Sequence, residues 1–127
     1  MTDSKIKIIF SPQFVRDAKQ LRKKYRKVDN DIRALVERLK AGETPGDRLQ
    51  GVDAVVYKVR IRNSDVERGK SAGYRVAYLL KTDKLIFLLT IYSKFEQSDV
   101  PVNVVQQVVA DVLAEYTSSP DSTDEQE

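Results

Sequence analysis

The sequence predicts an α+β domain: a small antiparallel sheet of about four strands, with an N-terminal helical hairpin and a C-terminal helix. Three observations lead there. Apolar residues recur at helical spacing twice before Gly42. They then alternate or run together in three closely spaced stretches between residues 55 and 94, and return to helical spacing after Pro101. The last two of those stretches are joined by the short turn Thr82-Asp83, which requires antiparallel neighbours and implies a meander with the helices on one face.

Each element has its own local reason. Residues 5 to 10, KIKIIF, alternate and then become apolar, as a first strand does. Ser11 and Pro12 follow as N-cap and first helical residue, and Phe14, Ala18, Leu21 and Tyr25 then form one stripe. A second helix fits Asp29 to Ala41, with Ile32, Leu35, Val36 and Leu39 on its apolar face and Gly42 as its stop. The segment GETPGDRLQG, residues 42 to 51, is rich in turn residues and reads as a loop. Strands are predicted over 55 to 62, 73 to 81 and 84 to 94. Val102, Val105, Val108, Val109, Val112 and Leu113 then predict a helix despite their β-branched side chains. No internal repeat is present.

Composition narrows the chemistry. A chain of 127 residues with 41% hydrophobic and 32% charged residues suits one domain with a real core, here residues 1 to 116. Cys and His are both absent, which excludes thiol nucleophiles, disulfides, the usual zinc sites and every triad built on histidine. No cofactor is called for. The N-terminus lacks the long apolar core of a signal peptide, and the longest apolar run, LIFLL at 85 to 89, is too short to span a bilayer. The expectation is therefore a cytoplasmic protein with no membrane partner. Residues 117 to 127, TSSPDSTDEQE, carry four acids and no base, so the other 116 residues hold all 22 bases against 15 acids. A basic body favours an anionic partner, and the acidic, apolar-poor end reads as a disordered tail.

The bases are not spread evenly. In VVYKVRIR, residues 55 to 62, Lys58, Arg60 and Arg62 occupy every second position, so a strand would stand them in a row about 6 to 7 Å apart, near the phosphate repeat of an extended nucleic acid. Taken alone, such a row is more often a solvated face. The following loop adds Arg68 and Lys70, and Arg75 begins the next strand. An antiparallel register that brought 58 to 62 beside 75 to 79 would let Arg75 join the row, with Tyr92 and Lys94 of matching parity on the last strand. The string GKSAG at 69 to 73 is not a phosphate-binding loop, because it lacks the four-residue spacer and leads into a strand rather than a helix.

The strings RLQGVDAVVYKVRI, GYRVAYLL and IYSKFEQSD, in this order and separated by a short basic loop, resemble toxins of bacterial type II toxin-antitoxin systems, the RelE/ParE superfamily. GKSAGYRV and YSKFEQ are most similar to its HigB-like members. The resemblance covers about Lys7 to Leu113 and implies a RelE/ParE-like fold and a cognate antitoxin that covers the basic face. For RelE-like members it implies a ribosome-dependent endoribonuclease, or mRNA interferase, that cuts messenger RNA and inhibits translation. For ParE-like members it implies instead a non-enzymatic toxin that engages gyrase, or a basic module for another protein or DNA partner. Carried over by position, Lys58 and Arg60 match the basic pair of the central strand, Arg62 the next alternate position, Arg75 the strand arginine that holds phosphate, and Lys94 the basic residue closing the last strand. RelE-type enzymes place an arginine after that lysine and a tyrosine further on. Phe95 and Pro101 stand there in this chain.

Cleavage by this route uses the ribose 2′-hydroxyl as nucleophile and needs a base, a stabiliser of the crowded phosphorane and an acid. Without histidine, an amine crowded by other cations has its charged form disfavoured and can act as base, which points to Lys58 or Lys94. Arginine keeps its proton, so Arg60, Arg62 and Arg75 suit phosphate binding and charge stabilisation. The acid is Lys94, Lys70 or a group of the ribosome. Tyr92 or Phe95 would stack on a base if exposed, with Arg62, Arg68 and Lys70 holding the RNA. Tyr74 and Tyr78 belong to the opposite strand face and to the core. The helical hairpin carries ten bases against four acids between residues 12 and 41, and Arg22, Lys23 and Lys24 either dock on ribosomal RNA or form a solvated helix face.

Overall fold

The computed structural model describes residues 5–66, 73–93 and 100–118, with the side chains of 117 and 118 excepted. In chain order the elements are β1 (Lys7–Phe10), α1 (Pro12–Arg22), α2 (Val28–Lys40), β2 (Asp47–Arg48), β3 (Val56–Ile61), β4 (Tyr74–Thr82), β5 (Leu85–Ser93) and α3 (Val102–Ser118). The sheet has five strands in the order β1-β5-β4-β3-β2. Every pairing is antiparallel except β1 with β5, where the first strand of the chain lies parallel beside the last.

The predicted helix start at Ser11 holds in detail. Its hydroxyl accepts the Phe14 N–H at 3.0 Å and donates to the Leu89 carbonyl at 3.0 Å, so one oxygen caps α1 and fastens it to β5. Phe14, Ala18 and Leu21 are buried on the face of α1 that meets the sheet. Tyr25 lies past the end of α1 yet stays buried, its ring edge-on to Tyr74 with centroids 5.8 Å apart. In α2, Val28, Ile32, Leu35 and Leu39 fill the same layer. Asp31 is also buried, and its carboxylate accepts the Ser64 N–H and hydroxyl, which pins the loop after β3 to the hairpin.

Strand alternation divides the core in two. Val59, Tyr74, Val76, Tyr78, Ile86, Leu88 and Ile91 face α1 and α2. Val56, Ala77, Leu79, Phe87 and Leu89 face the other way and pack with Val105, Val109 and Val112 of α3. The three helices therefore lie on both faces, not on one as the order of elements suggested. A strand whose two sides are both covered needs apolar residues at every position, and LIFLL in β5 supplies them.

The segment 42 to 51, expected to be a loop, contains β2. Asp47 pairs with Lys58 and Arg48 with Tyr57. Two residues are too few to show any alternation, so the strand left no signal in the sequence. Gly46 leads into it at φ +97°, where an added Cβ would lie 2.4 Å from the Lys58 carbonyl oxygen. Tyr78 holds this segment from the core side by donating its hydroxyl to the Pro45 carbonyl while stacking on Tyr57 at 5.6 Å. Burial raises the pKa of this phenol well above the ordinary tyrosine value, so it remains a hydrogen-bond donor throughout the physiological range.

One irregularity decides which way the end of β5 faces. Tyr78 pairs with Leu88 but Ala77 pairs with Thr90, leaving Leu89 as an extra residue in a β-bulge. Asp17 of α1 accepts from the Thr90 hydroxyl and, at 3.4 Å, from the Ile91 N–H, supporting the bulge with a carboxylate from outside the sheet. Asp17→Ala removes that acceptor from part-buried donors. An expected loss of about 2 kcal/mol would be read as a lower denaturant midpoint with an unchanged slope.

Candidate functional site

The site grows from the alternation in β3. Val56, Lys58 and Arg60 point to the α3 side of the sheet, while Tyr57, Val59 and Ile61 point to the hairpin side. The α3 helix starts beside Tyr92, where Pro101 and Val104 line a cavity, and ends at Phe87, which its Tyr116 meets edge-on at 5.3 Å. The cations of β3 lie on the same face, two strands away from β5.

The register supplies what alternation alone left conditional. Arg60 of β3 is the direct partner of Arg75 in β4, and Arg75 is the direct partner of Tyr92 in β5. Lys58 sits one step away in the row Lys58, Ala77, Thr90. Two guanidinium groups thus stand side by side, with an amine two residues along, on one sheet face. Arg60 is exposed, and Lys58 and Arg75 are half-buried. Arg62 continues the parity but lies beyond the end of β3, exposed.

Electrostatically the pair is open. Among the described residues neither Arg60 nor Arg75 makes an ion pair, and Arg75 Nη1 is buried without a hydrogen-bond partner. Like charges directly opposite in a sheet repel, and an unsatisfied buried donor costs free energy, so an anion bridging the two groups would relieve both penalties. Lys58 is in a different situation. The register sets Asp47 of β2 opposite it, an acid of the segment whose turn residues predict a loop. Only the pairing of β2 with β3 brings that carboxylate to the site.

The remaining sequence candidates divide into three groups. Arg68, Lys70, Lys94 and Phe95 lie outside the described residues. Tyr92 has the expected parity beside Arg75 but is only 6% exposed, so it does not present the open ring face that base stacking requires. It lines a cavity of about 290 Å³ with Thr90, Val100, Pro101 and Val104, where the chain enters α3. Tyr74 and Tyr78 are fully buried on the hairpin side, as their parity predicts.

Arg22, Lys23 and Lys24 cluster at the end of α1, which packs on the face opposite the cation row. Arg22 is bidentate to Asp29 at 2.9 Å through both Nε and Nη2. The hydrogen bond from Arg22 lowers the Asp29 pKa, and Asp29 in turn raises that of Arg22. The stabilisation is present above the ordinary carboxylate pKa and fades as pH falls through the lowered Asp29 value. With both side chains about half exposed, at 48% and 52%, it amounts to less than about 1 kcal/mol. Lys24 Nζ lies 5.8 Å from the Tyr25 ring centroid.

A mostly antiparallel five-stranded sheet between a helical hairpin and a C-terminal helix is consistent with the fold of the RelE/ParE superfamily of toxins. The family model of the ParE toxin of type II toxin-antitoxin systems, parDE, matches residues 8–97, and the chain belongs to that family. Its partner is accordingly a cognate antitoxin. No curated protein matches the chain. Among the described residues, no helix is long and apolar enough to cross a membrane.

Proposed function

We propose that this toxin is a ribosome-dependent endoribonuclease whose Lys58, Arg60 and Arg75 bind and cleave messenger RNA. The observation that carries the reading is the direct pairing of Arg60 with Arg75, which gives one phosphate two guanidinium groups without an acid between them. Cα atoms of directly paired antiparallel residues are about 4.5 to 5.5 Å apart, so both side chains can reach a single phosphate. Their fixed positive charge suits the extra negative charge of a phosphorane. The 2′-hydroxyl proton goes to the Lys58 amine or to the Asp47 carboxylate opposite it, and the mechanism uses neither a metal nor a cofactor. Lys94, if it closes the last strand toward the same face, is the candidate acid.

Primer extension on a translated messenger tests this reading. Wild-type toxin is expected to leave defined cuts, with Lys58→Ala and Asp47→Asn separating the two candidate bases. Whichever substitution removes the pH dependence of cleavage identifies the proton acceptor. Intact transcripts under every condition would end the nuclease reading.

The family match favours a second reading, in which the toxin stops gyrase and cuts no RNA. The same arginine pair would then hold an acidic surface of the protein target or DNA. Supercoiling inhibited by purified toxin, together with intact messenger, is the result that would select it.

A further inference from the structure

We propose that the open edge of β1 is a docking site for the cognate antitoxin, an extended segment of which adds to the sheet as a further strand beside Ile8 and Phe10. The inference rests on membership of the toxin family, which supplies the partner, and not on the nuclease reading.

The backbone leaves the place open. β1 and β2 are the outer strands of the sheet. β2 consists only of Asp47 and Arg48, both charged and exposed, and so short and charged an edge resists further pairing. β1 reads KIIF, with neither a charge after Lys7 nor a bulge or proline to protect it. Its pairing with β5 is parallel, and the N–H groups of Lys7 and Ser11 donate to the Lys84 and Leu88 carbonyls at 2.8 Å and 3.0 Å. Alternation then turns the N–H and C=O of Ile8 and Phe10 outward, where no described residue pairs with them.

The side chains around the edge suit an incoming strand. Phe10 is 43% exposed although its ring meets Phe14 edge-on at 5.3 Å. On the hairpin side, Phe10, Val15, Ala18, Ile32 and Val36 line a cleft of about 470 Å³ between α1 and α2. On the α3 side, Ile9, Phe10, Phe87, Val112 and Tyr116 line another of about 290 Å³. A strand laid along β1 sends alternate side chains to opposite faces, so residues i and i+2 meet the first cleft and residue i+1 the second.

Two features decide the occupant. A second copy pairing through its own β1 offers only Ile8, Ile9 and Phe10, which already pack on their own core, so both clefts stay unfilled. The rim of the larger cleft is basic on balance, because Arg22 and Asp29 satisfy each other and leave Arg33 and Lys40 against Glu37. The segment that fits therefore has large apolar residues at alternate positions and a carboxylate beside them. β1 lies three strands from β3, about 14 Å across the sheet, so this grip is separate from the cation row.

Amide hydrogen exchange on the free toxin and on its purified complex with the cognate antitoxin tests the proposal. The Ile8 and Phe10 amides are expected to slow by about tenfold or more in the complex, with Ile9, whose N–H turns toward β5, as the internal reference. Equal exchange of Ile8 and Phe10 in both states would overturn the proposal. Protection in the free toxin that rises with its own concentration would assign the edge to a second copy and overturn it as well. By titration, Phe10→Asp is expected to weaken antitoxin binding by about tenfold or more, while Val104→Asp, at a similarly exposed position on α3, leaves it unchanged. Equal losses at the two positions count against the edge. Weakening by Val15→Asp and Val36→Asp with the Ile8 and Phe10 amides unprotected would show a helix in the cleft instead of a strand on the edge. The exchange measurement uses the wild-type chain, so it decides the question even where Phe10→Asp fails to fold. In cells, Phe10→Asp toxin should stay toxic at antitoxin levels that silence the wild type, whether the target is messenger or gyrase, so uncut messenger would end the nuclease reading and leave this one standing.

Discussion

If the toxin cleaves messenger as proposed, Arg75→Ala is expected to lower the rate of cleavage by about 10² to 10³-fold while leaving stability unchanged or slightly higher. The two halves of the prediction have one cause. Arg75 stands directly opposite Arg60, and its buried Nη1 has no hydrogen-bond partner, so in the free protein it contributes repulsion and an unsatisfied donor. Removing it relieves both penalties, against the loss of packing by its aliphatic stem. With a phosphate in place the account reverses, because the guanidinium then meets charge that grows toward the transition state. Cleavage rates measured alongside denaturant midpoints test both halves. A variant that loses stability but keeps cleavage would show Arg75 to be a structural residue and would remove it from the site. Arg75→Lys is the informative companion: it retains the charge but not the fork, so it should recover only part of the rate.

The second large effect is structural, and it comes from a position that carries no charge. Gly46→Ala is expected to destabilise the fold by about 3 kcal/mol or more. The backbone there is at φ +97°, and the new Cβ would lie 2.4 Å from the Lys58 carbonyl oxygen and 2.9 Å from Val59 Cα. Both obstacles are backbone atoms of a central strand, so neither can move without shifting β3. Gly42 provides the control. Its φ is +94°, but nothing lies within 4 Å of its added Cβ, so Gly42→Ala should cost only the conformational penalty, about 1 kcal/mol. Comparing the two by chemical denaturation separates strain from collision. Equal losses would mean that the β2 segment moves aside and that Asp47 is not held opposite Lys58. Because Gly46 rests on the strand that carries Lys58 and Arg60, its replacement should also reduce activity at temperatures where the variant is still folded.

The bulge at Leu89 shows how small a feature can decide the site. Without it, the pairing of Tyr78 with Leu88 would continue to Arg75 with Ile91; with it, Arg75 meets Tyr92 and Ile91 enters the core. The run LIFLL that leads into the bulge gives no warning, since a strand segment covered on both sides has apolar residues in every position and no alternation to be interrupted. What tells the two registers apart is the carboxylate of Asp17, more than seventy residues away in α1.

By itself, the sequence determined the helices, the three long strands and the cation parity. These depend on spacing along one segment: the stripe of Phe14, Ala18 and Leu21, the cap at Ser11, the alternation of Lys58 and Arg60. Such patterns are local because side-chain direction follows from backbone geometry a few residues at a time. The tertiary structure decided the rest. It placed β1 parallel to β5, put α3 on the face opposite the hairpin, drew Asp47 into a strand beside Lys58, buried Tyr92 and paired Arg60 with Arg75. Each of these is a meeting of residues distant in the chain. Each is fixed by which surfaces exclude water together and by a register that one extra residue can shift, and neither is encoded in the spacing of any single segment.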